Sequence, residues 1–352
     1  MAIDLFESVS ECGCAAKVPA SALAKVLHDV EPCGDPSVLV GPGTLDDAGV
    51  YRLSDEISLV QTLDFFPPVA RDPWTYGRIA AANSLSDVYA MGGVPRTALA
   101  IVCCPSRLVG DEVLGAITRG AGEALRQAGC VLLGGHSVLD PQLKFGLSVT
   151  GTIRTGDQTD NASARPGDVL FLTKPLGTGV TVMAVRAGMA TAAQEAEANR
   201  CMASLNDRAA TLARRHGVRC VTDVTGFGLL GHAMQLARAS GVALRIDAAA
   251  LPVMDSAHAF ADQGLLSAAA YSNRDYVGDA VAFDEDLDLA ERDLMFDPQT
   301  SGGLLVCCPA DRADAFQAEA AGVLETPWAR IGVVQAAPES GPILHVRKGR
   351  PA

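Results

Sequence analysis

One stretch in the first quarter of the chain, Asn83-Ser84-Leu85-Ser86-Asp87-Val88-Tyr89-Ala90-Met91-Gly92-Gly93, constrains the fold more than any other. Upstream of it, Trp74 to Ala82 supplies a helical run in which Ile79, Ala82, Leu85 and Val88 recur three residues apart, and this predicts one apolar face. Asn83 and Asp87 are four apart and share another face. Gly92-Gly93 marks the C-terminal stop, and Pro95 keeps the helix from resuming. Asp87 then sits one turn from a helix C-terminus, where the macrodipole disfavours a carboxylate. A bound cation would remove that conflict.

On residue type alone, Asp87 reads as a solvated surface carboxylate. Two other acidic stretches change the balance. Thr44-Leu45-Asp46-Asp47-Ala48 lies between glycines and a predicted strand, and Thr222-Asp223-Val224-Thr225-Gly226-Phe227-Gly228 ends an apolar run and opens a helix. Carboxylates at strand or loop ends beside small residues are what a hard cation with phosphate oxygens in its shell requires. Their convergence is an expectation that the fold must meet.

The 352 residues, 49% of them hydrophobic, allow two domains with a core each. A formal net charge of -13 argues against nucleic-acid and membrane-surface partners, since no basic block is present to displace counterions from a polyanion. Several of the ten cysteines lie in apolar runs, such as Ala98 to Cys104 and Leu304 to Cys308, where a thiol behaves as a small buried hydrophobe. Asp4, Glu7 and Glu11 interrupt the N-terminus, so no signal peptide is expected and a reduced cytoplasmic enzyme is the better reading. No stretch approaches the roughly 18 apolar residues of a membrane helix.

In chain order, Met1 to about Ser10 has no clear period and is expected to be mobile. Cys12-Gly13-Cys14-Ala15-Ala16-Lys17 follows, and with no second cysteine pair at similar spacing it is a poor zinc clip. A thiol three residues before a lysine suits a nucleophile whose pKa the cation lowers, although an unremarkable tail is also compatible with the residues. A short helix is predicted with Leu23, Val26, Leu27 and Val30 on one side. Strands follow at Ala48 to Leu53 and Ile57 to Leu63, with Asp64 favoured as a turn-former over a ligand contact. Thr97 to Cys104 reads as a buried strand and Asp111 to Ala128 as an amphipathic helix. Cys130 to Leu133 reads as a strand running into a Gly134-Gly135-His136-Ser137 loop whose N–H groups approach an anion. Leu143 to Ile153 completes a first unit, and Arg154 to Gly167 is the candidate boundary.

Beyond it, Asp168 to Thr173 is a strand ending in Lys174-Pro175-Leu176-Gly177-Thr178-Gly179, a turn that opens a helix and offers an anion site at its N-terminus. Helical periodicity runs from Gln194 to Arg215, and another helix starts after Asp223 with Leu229, Leu230, Met234 and Leu236. Strands are predicted at Leu304 to Cys308, Ile331 to Val334 and Ile343 to Val346. His28, His216, His232, His258 and His345 form no cluster and read as structural.

Read together, Cys14-Ala15-Ala16-Lys17, Thr44 to Ala48, Thr62 to Phe66, Asn83 to Gly93, Gly134 to Ser137, Thr173 to Gly179, Asp223 to His232 and Asp297-Pro298-Gln299-Thr300-Ser301-Gly302-Gly303 resemble selenophosphate synthetases, also called selenide, water dikinases. The motifs occur in family order over nearly the whole chain. The resemblance implies an α+β or α/β chain with the two-domain fold of the aminoimidazole ribonucleotide synthetase type, whose N-terminal domains pair in a homodimer to form a barrel-like sheet. On that pattern residues 1–45 are a mobile catalytic segment, 46–155 the ATP-binding, metal-binding and dimerisation domain, and 166–352 a C-terminal α/β domain. The implied reaction turns ATP, hydrogen selenide and water into selenophosphate, phosphate and AMP.

By position, the resemblance makes Cys14 and Lys17 catalytic and Asp47, Asp87 and Asp223 ligands of Mg2+. It makes Lys17, Thr44, Leu45, Asp46, Asp64 and Asp87 nucleotide contacts, with Gly135, His136 and Ser137 reaching the nucleotide from the partner subunit. Cys12 falls outside the matched spacing. A delivery protein for selenium is an open alternative to free selenide. Cys14 to Lys17 and Asp297 to Gly303 disfavour a thiamine monophosphate kinase or an aminoimidazole ribonucleotide synthetase. A hydrogenase-maturation relative would be expected to end in cysteine, and this chain ends Lys348-Gly349-Arg350-Pro351-Ala352. A carrier that binds ATP without making AMP is the reading from a different class.

Overall fold

The computed structural model describes residues 4–9, 11–18, 22, 34–108 and 112–349. The predicted helix around Leu23, Val26, Leu27 and Val30 lies outside them, as do Asp111, Met1 to Ile3 and Ser10. Two sheets organise the chain. The first has six strands, β1 Val38–Val40, β2 Gly49–Arg52, β3 Ile57–Phe66, β4 Val94–Cys104, β5 Val131–Leu139 and β6 Lys144–Arg154, in the order β1-β2-β3-β6-β4-β5. The second has seven, β7 Val169–Leu172, β8 Cys220–Asp223, β9 Val242–Asp247, β10 Val281–Phe283, β11 Leu304–Cys308, β12 Ala329–Ala336 and β13 Leu344–Arg347, in the order β10-β13-β9-β12-β7-β11-β8.

The Pro73–Ala90 helix joins the two halves. The Asp72 carboxylate caps it by accepting from the Thr75 N–H at 2.8 Å, Pro73 fills the first turn where no N–H is needed, and the turn at Gly92, with φ +73°, ends it. The predicted single apolar face is not what forms. From Tyr76 to Ala90 every residue except Arg78 is buried, Asn83, Ser84, Ser86 and Asp87 included. The helix is covered by β3 and β6, by the Glu112–Gln127 helix, and by helices Ala192–Ala203 and Asp207–Arg215 from the second half. A helix enclosed on all sides needs small or hydrogen-bonded polar residues where neighbours come close, and its period-three pattern describes only part of that surface. Buried Ile79, Leu85 and Val88 each contribute about 1.5–3 kcal/mol relative to exposure.

Several expectations change on the same physical grounds. Asp64 is not in a turn, because β3 continues to Phe66 and pairs Asp64 with Leu147 of β6. The run before Cys104 is not a buried strand: β4 starts at Val94 and leaves Leu99 and parts of its length exposed. The Gly134-Gly135 stretch is not a loop. β5 continues through it, parallel to β4, with a register shift at Leu133 and Ala100 opposite Gly135, and all nine of its residues are exposed. A Cβ on Gly135 would sit 2.2 Å from the Ala100 carbonyl oxygen, so glycine serves strand packing there. The Gln194 to Arg215 periodicity is divided by Ser204-Leu205-Asn206 into two helices. Leu5 and Phe6 are buried, and Asp4 pairs with Arg71, so the described part of the first ten residues is docked on the body of the protein.

The turn at Lys174 to Gly179 also differs from expectation. The helix Thr178–Arg186 does open there, but the chain itself fills its N-terminus. Gln299 Oε1 accepts from the N–H groups of Gly177 and Thr178, and Asp297 Oδ2 accepts from that of Val180 at 3.1 Å. The Gly177, Thr178 and Val180 donors are thus taken by the chain's own side chains. Burial pushes the Asp297 carboxyl up to about 7.

Candidate active site

The three acidic stretches converge. Asp47 follows a left-handed turn at Leu45, φ +54°, an uncommon conformation for a branched residue and one that local contacts must hold. Asn161 supplies them: its N–H donates to Asp46 Oδ1 at 2.6 Å, and its side-chain amide donates to the Leu45 carbonyl at 3.0 Å. The Thr44 hydroxyl is taken by Asp46. Held this way, Asp47 accepts from the Thr222 hydroxyl at 3.1 Å and from the Asp223 N–H at 3.3 Å, across the junction between the two sheets. Asp223 ends β8, and its Oδ2 is buried without a hydrogen-bond partner. Asp87 accepts from the Thr62 hydroxyl.

Burial, then mutual repulsion with Asp223 and a third acid, holds Asp47 and Asp87 well above the usual carboxylate range; Asp223 is also raised, chiefly by burial. Among the described residues, no three His, Cys, Asp or Glu side chains already close on one point. The acids face a space rather than a formed shell. All-oxygen donors, one of them an orphaned buried carboxylate oxygen, fit a hard divalent cation such as Mg2+.

Lys17 closes one side of this space. Its ammonium donates to Asp64 Oδ2 at 2.8 Å while the side chain keeps 31% of its exposure. Burial opposes its charge, but Asp64, Cys14 and Asp87 together hold its pKa above the ordinary lysine value. Asp64 also accepts from Asn83 Nδ2, so the i,i+4 pair Asn83 and Asp87 points two polar groups at one place. The cleft has a volume of about 670 Å³, and Leu45, Lys17, Thr62, Asp64, Asp87 and Asp223 are among its walls.

Cys14 stands one layer behind. It is 1% exposed; its thiol donates to Asn83 Oδ1 at 3.5 Å and its N–H to the Thr300 hydroxyl at 3.1 Å. Gly13, at φ +50°, permits this, since a Cβ there would lie 2.4 Å from Thr300 Oγ1. Lys17 does pull the thiol pKa down as expected, but the net shift in this state is upward. Burial dominates, Lys17 pulls the other way and loses, and the thiol is pushed up to about 12. Cys14 does not line the large cleft but a cavity of about 240 Å³ shared with Gly226, Phe227 and Asn273.

The whole chain superposes on thiamine-monophosphate kinase from Stenotrophomonas maltophilia with a TM-score of 0.64 at 21% identity, covering 96% of this chain and 98% of the other. The hydrogenase maturation protein HypE gives 0.63 at 20% identity, with 92% of each chain covered. Residues 45–153 match the family described as AIR synthase related protein, N-terminal domain, and residues 165–345 its C-terminal domain. A selenide, water dikinase of Trichlorobacter lovleyi is 47% identical over 321 residues, 91% of this chain and 92% of that protein. That of Pelobacter propionicus is 45% identical over 316 residues, 90% of this chain and 91% of the relative. The chain belongs to the selenide, water dikinase family. Treponema denticola has a further selenide, water dikinase, 40% identical over 332 residues, 94% of this chain and 93% of the relative.

The selenide, water dikinase chain is thus an enzyme with the two-domain AIR synthase-like fold. The single chain brings Lys17, Leu45, Asp46, Asp47, Asp64, Asp87 and Asp223 around one cleft, with Cys14 adjoining it. Thr44 turns onto Asp46 instead of lining the cleft. Gly135, His136 and Ser137 stand on the exposed edge strand β5 and are not among the cleft walls of this chain. Sequence reasoning did not single out Thr62, Thr222 or Thr300 as site residues. Each lies within a motif but carries no signal until its strand or loop is placed. Asn83 was detectable through its spacing from Asp87.

Proposed function

We propose that the chain makes selenophosphate, phosphate and AMP from ATP, selenide and water, with Mg-ATP in the cleft between the two sheets. The observation that carries this reading is the meeting of Asp47, Asp87 and Asp223, from three distant stretches, beside the Lys17–Asp64 pair. Mg2+ held by these three acids would supply neutralisation of phosphate oxygen charge. Lys17 is placed to donate to the oxygens of the transferred phosphoryl group, with Asp64 orienting the ammonium. A selenium lone pair attacks the γ-phosphorus as the bond to the bridging oxygen breaks; water then cleaves ADP to AMP and phosphate. Cys14 holds or delivers the selenium. Its raised pKa keeps it a thiol while it is packed on Asn83, so the segment must shift, or Lys17 be freed from Asp64, before the sulfur can act as a thiolate.

Residues 46–155 and 166–352 serve in this reading as ATP- and metal-binding domain and C-terminal domain, and residues 1–45 as the catalytic segment. The reduced cytoplasm is the proposed compartment, supported by nine free thiols among the described residues. The homodimer is supported by β5, an unpaired edge carrying exposed Val131, Leu133, Val138 and Leu139, with Leu133 at 66% exposure. Such an edge invites a second copy, whose Gly135, His136 and Ser137 then approach the nucleotide. Sedimentation should give twice the 36.4 kDa chain mass, and Leu133→Glu should shift it towards the monomer. A wild-type monomer at micromolar concentration would remove the partner's share of the site.

The deciding experiment is phosphorus NMR of an anaerobic, reduced mixture of protein, magnesium ATP and selenide, run beside Cys14→Ala. Selenophosphate, phosphate and AMP should appear together with the intact protein, and selenide-dependent turnover should fall at least about 100-fold in the variant. ADP as sole nucleotide product would reject the dikinase reading; full turnover by Cys14→Ala would reject the delivery role.

A further inference from the structure

Lys174 is the most deeply buried cation described, 1% exposed, and the reaction above does not use it. Its ammonium donates to two backbone carbonyls rather than to a carboxylate: Ser204 at 2.7 Å and Ser301 at 2.8 Å. Burying an ammonium against neutral acceptors is costly, and burial pulls the Lys174 pKa down to about 8 against the support of Cys201, Asp223 and Asp207. The residue it holds is unusual. Ser301 has φ +51°, a left-handed conformation that serine adopts under constraint, and its hydroxyl is buried without a partner.

The two sides of this turn reach Cys14 separately. Ser301 N–H donates to Asn83 Oδ1 at 2.9 Å, the same oxygen that takes the Cys14 thiol. The preceding residue, Thr300, accepts the Cys14 N–H through its hydroxyl. Ser204, the other acceptor of Lys174, lies two residues before Asn206, whose amide donates to Ser86 Oγ and the Gly302 carbonyl, each at 2.8 Å. One ammonium therefore ties the 300–302 turn to the link that meets the Pro73–Ala90 helix.

We propose that Lys174 is a positioning residue for Cys14, acting through the left-handed Ser301 turn that sets the place of the Cys14 thiol and amide. The proposal rests on the reading of Cys14 as the selenium-handling residue. It predicts that the lysine matters because serine resists the turn, whereas glycine adopts it freely.

The test uses the full-length protein and two readouts: selenide-dependent kcat with KM for ATP, and the rate at which iodoacetamide alkylates Cys14, followed by peptide mass mapping at pH 7.5. Lys174→Met should lower kcat at least 10-fold, leave KM for ATP within 3-fold, and speed Cys14 alkylation at least 10-fold. Adding Ser301→Gly to Lys174→Met should bring alkylation back to within about 3-fold of wild type and recover part of kcat. Where Lys174→Met does not accumulate as folded protein, the double variant with Ser301→Gly is still expected to fold and to alkylate at Cys14 within about 3-fold of wild type, and its failure to do so overturns the proposal. Unchanged alkylation and kcat in the lysine variant would overturn the proposal. So would defects that persist in the double variant, since a general loosening of the core is indifferent to the backbone preference at position 301. Alkylation is read without turnover, so a fully active Cys14→Ala would sink the selenium role and still leave the function of Lys174 decided.

Discussion

Asp223→Asn is expected to cut selenide-dependent AMP formation by about 1,000-fold or more, and to raise the melting temperature of the protein in EDTA. Both effects have one origin. Asp223 is 1% exposed, with one carboxylate oxygen unpartnered, and it faces Asp47 and Asp87 across the junction of the two sheets. Without a cation, three acids are buried close together: burial raises all three first, and repulsion from Asp223 adds to it at Asp47 and Asp87. Asparagine keeps the shape and an acceptor oxygen while removing one charge, so the metal-free fold gains. A cation reverses the ranking: Mg2+ should stabilise the wild type more than the variant, because only the wild type offers the full set of charged oxygens. Phosphorus NMR and thermal unfolding, with EDTA and with Mg2+, check both halves. Wild-type turnover by the variant, or a variant melting below wild type in EDTA, would show that Asp223 is not part of a metal-holding acid cluster.

The second large effect concerns the support of the site. Gly120→Ala should destabilise the protein by more than about 3 kcal/mol. A Cβ on Gly120 of the Glu112–Gln127 helix would lie 1.9 Å from the Trp74 carbonyl oxygen, and one on Gly77 of the Pro73–Ala90 helix would lie 1.9 Å from that of Ile117. Each helix thus uses a glycine to let the other's backbone approach, and no side-chain rotation can relieve a clash with backbone. Pushing them apart opens the packing around Ile117 and Ile79, both fully buried. Activity should fall with stability, since the displaced helix carries Asn83 and Asp87. Gly122→Ala is the control on the same helix: nothing lies within 4 Å of its added Cβ, and it should stabilise by about 0.5–1 kcal/mol. Denaturant melts of the two variants decide; equal stability of Gly120→Ala and wild type would show that the helices do not need that approach.

Much of this site was legible because its acids sit in short segments with strong local punctuation. Asp87 could be placed by its distance from Gly92-Gly93, Asp223 by the apolar run before it, and Lys17 by its spacing from Cys14. Each signal is local, and the strands and helices around them follow from periodicity. What the sequence withheld depends on contacts between distant segments. Nothing near Asp64 says that β3 continues past it, because that follows from pairing with β6. Nothing in Gly134-Gly135 separates a loop from a strand pressed against Ala100. Cys14 is the sharpest case: the lysine three residues away argued for a reactive thiolate, while burial, which no local pattern records, pushes the thiol the other way.

The Thr300 hydroxyl that receives the Cys14 N–H lies 286 residues further along the chain. At ribosomal speeds of about 5–20 residues per second, Cys14 leaves the exit tunnel on the order of 15–60 s before the loop that will cover it. For that interval the cover supplied by the second half is absent, and only first-half contacts such as the Asn83 amide can shield the sulfur. On the role proposed for Cys14, the fraction of each newly made batch that is active should then depend on how reducing its surroundings are during synthesis.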